Sequence, residues 1–216
     1  MGVQVDAHAA GTGGTGLRLA GRKPFWRGPG MPRDVIPGLR PRLLAVGDAI
    51  DRYRDASAAV AVILRERDGL AVLLQERAAR AEDPWSGQWA FPGGRRQRDE
   101  PLLDAVLRET REEIGVSLRE ADVLGCMEAR SPGNRPELLV LPFVFRADGT
   151  EDPKAGPEVA STAWISLDRL ASVRTSVTIH IRGRVLRDMP AFVDGPRTIW
   201  GFTYRALQDL LRLLPQ

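Results

Sequence analysis

No feature narrows the folds open to this chain more than residues 94–116, GRRQRDEPLLDAVLRETREEIGV. Residues 101–114 carry the marks of a helix: proline in the first turn, Asp99 and Glu100 just before it, and Gly115 just after it. Leu103, Val106, Leu107, Thr110 and Ile114 recur at the helical period and mark one side for burial. Glu109, Glu112 and Glu113 stand at i, i+3 and i+4, so their carboxylates leave the helix on one face. At about 100° per residue that acidic face adjoins the apolar one rather than opposing it. A helix built this way lies on a core with its acids along the edge, where they can floor a cleft.

Three carboxylates at this spacing repel, each pair weakening the helix by roughly a few tenths of a kcal/mol. Arg108 and Arg111 offset part of that charge. A divalent cation, Mg²⁺ or Mn²⁺, offsets it more fully, since Mg²⁺ takes carboxylate, water and phosphate oxygens as ligands. Gly93 and Gly94 have no side chain to keep a backbone carbonyl from the same ion. The plainer alternative, a solvated and ion-paired helix face, leaves the fixed spacing of the flanking Gly94, Glu100 and Gly115 unexplained.

The rest of the chain supplies a sheet for this helix. Residues 58–64 and 70–74 are apolar runs joined by a turn containing Asp68-Gly69, a strong hairpin signal. Residues 89–91 read as a short strand ended by Pro92-Gly93-Gly94. Strands are expected at 122–128, 138–145, 162–165 and 177–181, a short helix capped by Ser166 at 166–170, and amphipathic helices at 41–53 and 202–214. This alternation predicts an α/β or α+β fold, a sandwich with a mixed β-sheet between helices. Residues 1–38 are rich in Gly, Pro and Arg without periodicity, as in GTGGTG and RGPGMPR, and Met31 is an alternative start. The expected organisation is a flexible arm over 1–40 and a single domain over 41–216, with its core at about 55–170 and a strand-and-helix extension at 171–216.

Composition excludes several kinds of chemistry. A chain of 216 residues, 43% hydrophobic and 27% charged, can bury one good core. It has no apolar run of about eighteen residues for a membrane and no secretory pattern at its N-terminus, so a cytoplasmic location is expected. One cysteine, Cys126, and two histidines, His8 and His180, speak against an internal disulfide, a four-ligand zinc site and Ser-His or Cys-His catalysis. The net charge of +3 is modest and spread along the chain, and Lys23 and Lys154 are the only lysines, so no nucleic-acid partner is expected.

Residues 94–116 match G-x5-E-x7-R-E-U-x-E-E-x-G-U, with Gly94, Glu100, Arg108, Glu109, Glu112, Glu113 and Gly115 at the fixed places and Thr110 and Val116 at the apolar U positions. This pattern resembles the Nudix box, and the likeness runs over about residues 55–170. The resemblance implies an α/β/α sandwich, a Mg²⁺ or Mn²⁺ cofactor held on a loop-helix-loop, and hydrolysis of a diphosphate linkage in a nucleotide derivative. By position it implies Glu109 and Glu113 as principal metal ligands, with Gly94 beside them. Glu112 becomes a further ligand or the general base, Arg108 orients it, and Glu100 holds the loop or an additional metal.

Residues 73–94, LLQERAARAEDPWSGQWAFPGG, resemble a second signature, that of the coenzyme A pyrophosphatase branch, roughly L-L-T-x-R-[SA]-x3-R-x3-G-x3-F-P-G-G. Leu73, Leu74, Arg77, Ala78, Gly87 and residues 91–94 match. Gln75 replaces the Thr, Glu82 stands at the second Arg position, and Gly87 comes one residue late. Residues 194–204, DGPRTIWGFTY, are similar to C-terminal segments of the same branch. Arg77 and Arg80 are candidates to clamp phosphates, Gln88 and Phe91 to contact substrate, and Trp85, Trp89 and Trp200 to stack on a base. The implied substrate is coenzyme A or an acyl-CoA. ADP-ribose, NADH or a dinucleoside polyphosphate is the alternative, and a non-catalytic nucleotide-binding regulator is the alternative of another kind. The expected partner is thus a small nucleotide diphosphate, with no membrane; a homodimer is compatible with the chain.

Overall fold

The computed structural model describes residues 4–7, 35–80, 85–147, 152–181 and 184–215, with residues 4–7 described in their backbone only. The chain runs through β1 (Gln4–Ala7), α1 (Val35–Leu39), α2 (Val46–Arg52), β2 (Ala58–Glu66), β3 (Leu70–Arg77), β4 (Trp89–Ala90), β5 (Gly93–Arg95) and α3 (Leu102–Ile114). It continues through β6 (Val123–Cys126), β7 (Val140–Arg146), β8 (Val159–Ser166), α4 (Leu167–Ser172), β9 (Arg174–Ile181), β10 (Arg184–Asp194), β11 (Arg197–Trp200) and α5 (Gly201–Leu213).

Gly69, at φ 101°, turns β2 back onto β3 in a conformation that costs glycine little. The two strands bond only beside that turn, from Leu64↔Val72 to Glu66↔Leu70. Further on they part. β2 pairs with β5 from Ala58↔Arg95 to Val60↔Gly93, while β3 pairs with β4 through Gln75↔Ala90 and Glu76↔Trp89. The result is a forked, seven-stranded sheet of order β4-β3-β2-β7-β6, with β8 on the outer side of β3 and β2–β7 the parallel pair.

Side chains alternate across this sheet as the pleat requires. Ala59, Ala61 and Ile63 of β2, Leu73 of β3 and Phe143 and Phe145 of β7 meet Leu102, Val106 and Ile114 of α3 and Ala49 of α2. Val62 and Leu64, Val72 and Leu74, and Val144 face the other way, toward α1, α4 and α5, which contribute Leu39, Leu167, Leu170, Leu207 and Leu210. Each fully buried leucine contributes about 1.5–3 kcal/mol, so both layers are held chiefly by apolar burial. The mixed sheet between helices is the architecture expected from the sequence.

Three local outcomes differ from that expectation. The helix predicted over 41–53 is cut to Val46–Arg52, because Leu44 exchanges two 2.9 Å backbone bonds with Cys126 and so leaves the helix for the sheet; Arg40–Arg42 form a 3₁₀ turn. Within residues 1–40, expected as a flexible arm, Gln4–Ala7 pair with β9, and Val35, Ile36 and Leu39 are buried; GTGGTG and RGPGMPR fall outside the described residues. Residues 184–194, which carry no clean alternation, form the long partner of β9 in a second sheet of order β1-β9-β10-β11, with an irregularity between Leu186 and Met189 where Asp188 takes φ 54°. Among the described residues no helix is long and apolar enough to cross a membrane.

Candidate active site

α3 is entered through Pro101, a residue suited to a helix start, and closed by Gly115, whose φ of 68° lets its N–H return to the Arg111 carbonyl. Thr110, at an apolar position of the motif, is fully buried and gives its hydroxyl to the Val106 carbonyl at 2.7 Å, so it packs without a stranded polar group. That register brings Glu113 to the edge of the buried face, with its side chain 7% exposed, and turns Glu112 outward at 56%. The far end of α3 is tied down by residues 154 and 156, whose N–H groups donate to the carbonyls of Ile114 and Glu113 at 2.7 Å each.

Glu113 reaches into the fork where β2 and β3 separate. Its Oε2 accepts from the Gly93 N–H and from Nε2 of Gln75, both at 2.8 Å, and its Oε1 stands 3.8 Å from Arg77. Gln75 and Arg77 share the face of Leu73 because side chains alternate along β3. Burial pushes the Glu113 carboxyl above the usual range, with Glu109 adding to the rise; Gly93, Gln75 and Arg77 act against it.

Two glycines shape the floor. At Gly93, φ 137°, a Cβ would collide with the Ala59 carbonyl and lie 2.6 Å from the Val60 Cα. At Gly94 a Cβ would come within 2.7 Å of Cδ and Oε2 of Glu109. Gly94 thus forms a cradle occupied by the Glu109 carboxylate.

Arg108 gathers the remaining acids. Its Nε and Nη2 donate to the two oxygens of Glu100 at 2.8 and 3.0 Å, and its Nη1 donates to Glu109 at 2.7 Å and Glu112 at 3.2 Å. Glu100 also accepts from the Gln97 N–H at 2.7 Å. The Arg108 hydrogen bond, helped by the Gln97 N–H, holds the Glu100 carboxyl at about 2, and Glu100 foremost raises Arg108 in turn. Glu100 therefore latches the loop to Arg108 with both of its oxygens.

The predicted substrate contacts fare unequally. Arg77 lies beside Glu113, as stated. Arg80 is turned to the surface and paired with Glu158 at 3.0 Å. Gln88 closes the turn after residue 85 through its backbone, accepting from the Arg77 N–H at 3.0 Å. Phe91 is corrected: it is 3% exposed and packs in the core layer with Trp89 and Leu74, so its ring is committed to folding rather than presented to a ligand. Trp89 is likewise buried, with Arg197 over its ring, while Arg135 lies over Trp85. Gln75, noted in the sequence only as a departure from a pattern, proves to be a direct partner of Glu113.

Among the described residues no three acidic, histidine or cysteine side chains are already arranged around a point where a metal ion would sit. Glu109 and Glu112 are drawn to Arg108, and Glu113 to Gln75 and Gly93. The donor set nevertheless suits a hard divalent cation: three carboxylates lie along one helix edge, one of them in a side-chain-free cradle, and a buried amide oxygen, Gln75 Oε1, has no hydrogen-bond partner among the described residues.

Comparison with known proteins identifies the family and the fold. A family model for the NUDIX domain matches residues 55–186. The mitochondrial coenzyme A diphosphatase NUDT8 of Homo sapiens is 33% identical over 80% of this chain and 75% of its own length, and that of Mus musculus is 29% identical over 80% and 85%. The crystal structure of a MutT/nudix family protein from Enterococcus faecalis superposes with a TM-score of 0.50 at 20% identity, covering 73% of this chain and 60% of the other, a likeness of fold.

Proposed function

The chain belongs to the Nudix hydrolase family, and on that premise we propose that it is a divalent-cation-dependent diphosphatase that cleaves coenzyme A or an acyl-CoA into 3′,5′-ADP and a 4′-phosphopantetheine half. The observation that carries the chemistry is the array of Glu109, Glu112 and Glu113 along one edge of α3, ordered by Arg108 and by the fork. Support for the substrate comes from the similarity to coenzyme A diphosphatases over most of both chains.

In this reading Glu109 and Glu113, with the backbone at Gly94, would hold Mg²⁺ or Mn²⁺, and Glu112 is left free of the ion. Such an ion, when bound, supplies positive charge for the non-bridging phosphate oxygens and acidifies water. Arg108 aims Glu112 through one oxygen, and the other carries no hydrogen bond among the described residues; that oxygen takes the proton of the attacking water, the role of a general base. Arg77, beside Glu113 at the mouth of the fork, offers a guanidinium to a phosphate oxygen. Glu100 serves as the latch on Arg108 rather than as a ligand, since both of its oxygens are already engaged.

Turnover of coenzyme A, ADP-ribose, NADH and a dinucleoside polyphosphate by the same preparation tests the substrate. The reading predicts the highest kcat/KM on coenzyme A or an acyl-CoA, and ADP-ribose cleaved well above coenzyme A contradicts it.

A further inference from the structure

Resting on that reading, we propose that Gln75 is a positioning residue for Glu113, fixing which oxygen of that carboxylate remains free to face a divalent cation. Gln75 is 1% exposed, and its backbone is pinned on both sides, by Ala90 of β4 and Thr162 of β8. Its side chain cannot wander. Nε2 donates to Glu113 Oε2 at 2.8 Å, and the Gly93 N–H donates to the same oxygen at the same distance. Two donors from two different strands on one oxygen fix both the rotation and the reach of the carboxylate. Oε1 is left out of that pairing, with Arg77 3.8 Å from it.

The cost of this arrangement shows that packing alone does not account for it. Oε1 of Gln75 is buried and has no hydrogen-bond partner among the described residues, a penalty that an apolar side chain of the same length would avoid. The same oxygen is an acceptor available to a water carried in with the cation. Threonine, at this position in the signature that residues 73–94 resemble, has no amide and too short a side chain to span from β3 to Glu113. A glutamine here and a glutamate on α3 thus form one unit, in which β3 sets the geometry of a residue on the helix.

The test is Mn²⁺ binding without substrate, followed by electron paramagnetic resonance, for the full chain and for Gln75→Met and Gln75→Thr, alongside kcat, KM and melting temperature. Gln75→Met, which keeps length and packing, should bind Mn²⁺ about ten- to a hundredfold more weakly, with a matching fall in kcat and little change in KM. Its melting temperature should be unchanged or higher, an outcome that a packing role does not produce. Gln75→Thr should show the same loss, and decides the matter if Gln75→Met does not fold. Variants that bind Mn²⁺ within about twofold of the unaltered chain overturn the role of Gln75 while leaving the site intact. An unaltered chain that binds no Mn²⁺ overturns the metal-dependent reading itself, and this proposal with it.

Discussion

The carboxylate of Glu109 rests in the space that a side chain on residue 94 would fill: a Cβ at Gly94 would lie 2.7 Å from Cδ of Glu109. The neighbouring glycine is needed for a different reason, because a Cβ on Gly93 would strike backbone rather than a side chain, and its φ of 137° is strained for any other residue. Gly94→Ala should therefore fold, with Glu109 displaced and Mn²⁺ affinity reduced at least about tenfold. Gly93→Ala should lose the fold or much of its melting temperature. Circular dichroism and a Mn²⁺ titration on the two variants separate these outcomes.

Glu113 illustrates a site that carries a cost in stability. Burial raises its carboxyl, so the folded chain holds this proton more tightly than the unfolded chain. Stability from this group is complete below the ordinary carboxylate range and is lost as pH rises through the raised value. In chelator, Glu113→Gln should melt at a higher temperature than the unaltered chain, and the gap should widen from pH 4 toward neutrality while hydrolysis is lost. Melting curves across that range would show a constant or reversed gap if the carboxylate were not strained.

Glu100 has the opposite sign. Arg108 holds its carboxyl at about 2, so its contribution is present above the ordinary carboxylate value and lost as pH falls toward 2. Glu100→Gln should flatten the acid limb of the melting profile below about pH 4.5. It should also lower activity at neutral pH, because Arg108 would be freed from the loop. A Glu100→Gln chain with the unaltered acid limb would show that the latch is not made in solution.

Cys126 is fully buried under Leu44, and burial pushes its thiol up to about 12. A thiol reagent at pH 8 should leave the native protein unlabelled over hours and react promptly once denaturant is added. Rapid labelling of the native chain would mean that the Leu44–Cys126 contact opens.

Much of this architecture was legible in the amino-acid sequence because it rests on local periodicity. The helix of residues 102–114 follows from its caps and its 3.6-residue pattern, and the β2–β3 hairpin from two apolar runs joined about Asp68-Gly69. Three kinds of feature escaped, each for a physical reason. Leu44 left its helix because its backbone found partners on Cys126, a contact across 82 residues that no local pattern encodes. Strand β10 mixes Arg, Asp and Pro190, and its strand conformation is imposed by pairing with β9. Gln75 and Phe91 exchanged importance: both lie in the segment before the motif, but the fold sends the Gln75 side chain to Glu113 and the Phe91 ring into the apolar core layer.

The measurement that bears most directly on the account is steady-state hydrolysis of coenzyme A with Mg²⁺ or Mn²⁺ by the unaltered chain and by Glu112→Gln, with products identified by phosphorus NMR and folding checked by circular dichroism. The unaltered chain should release 3′,5′-ADP and 4′-phosphopantetheine, and the folded Glu112→Gln chain should lose about 10²- to 10⁴-fold in kcat, the worth of a general base. A folded Glu112→Gln chain that keeps kcat within about tenfold of the original would contradict the assignment of Glu112 as general base.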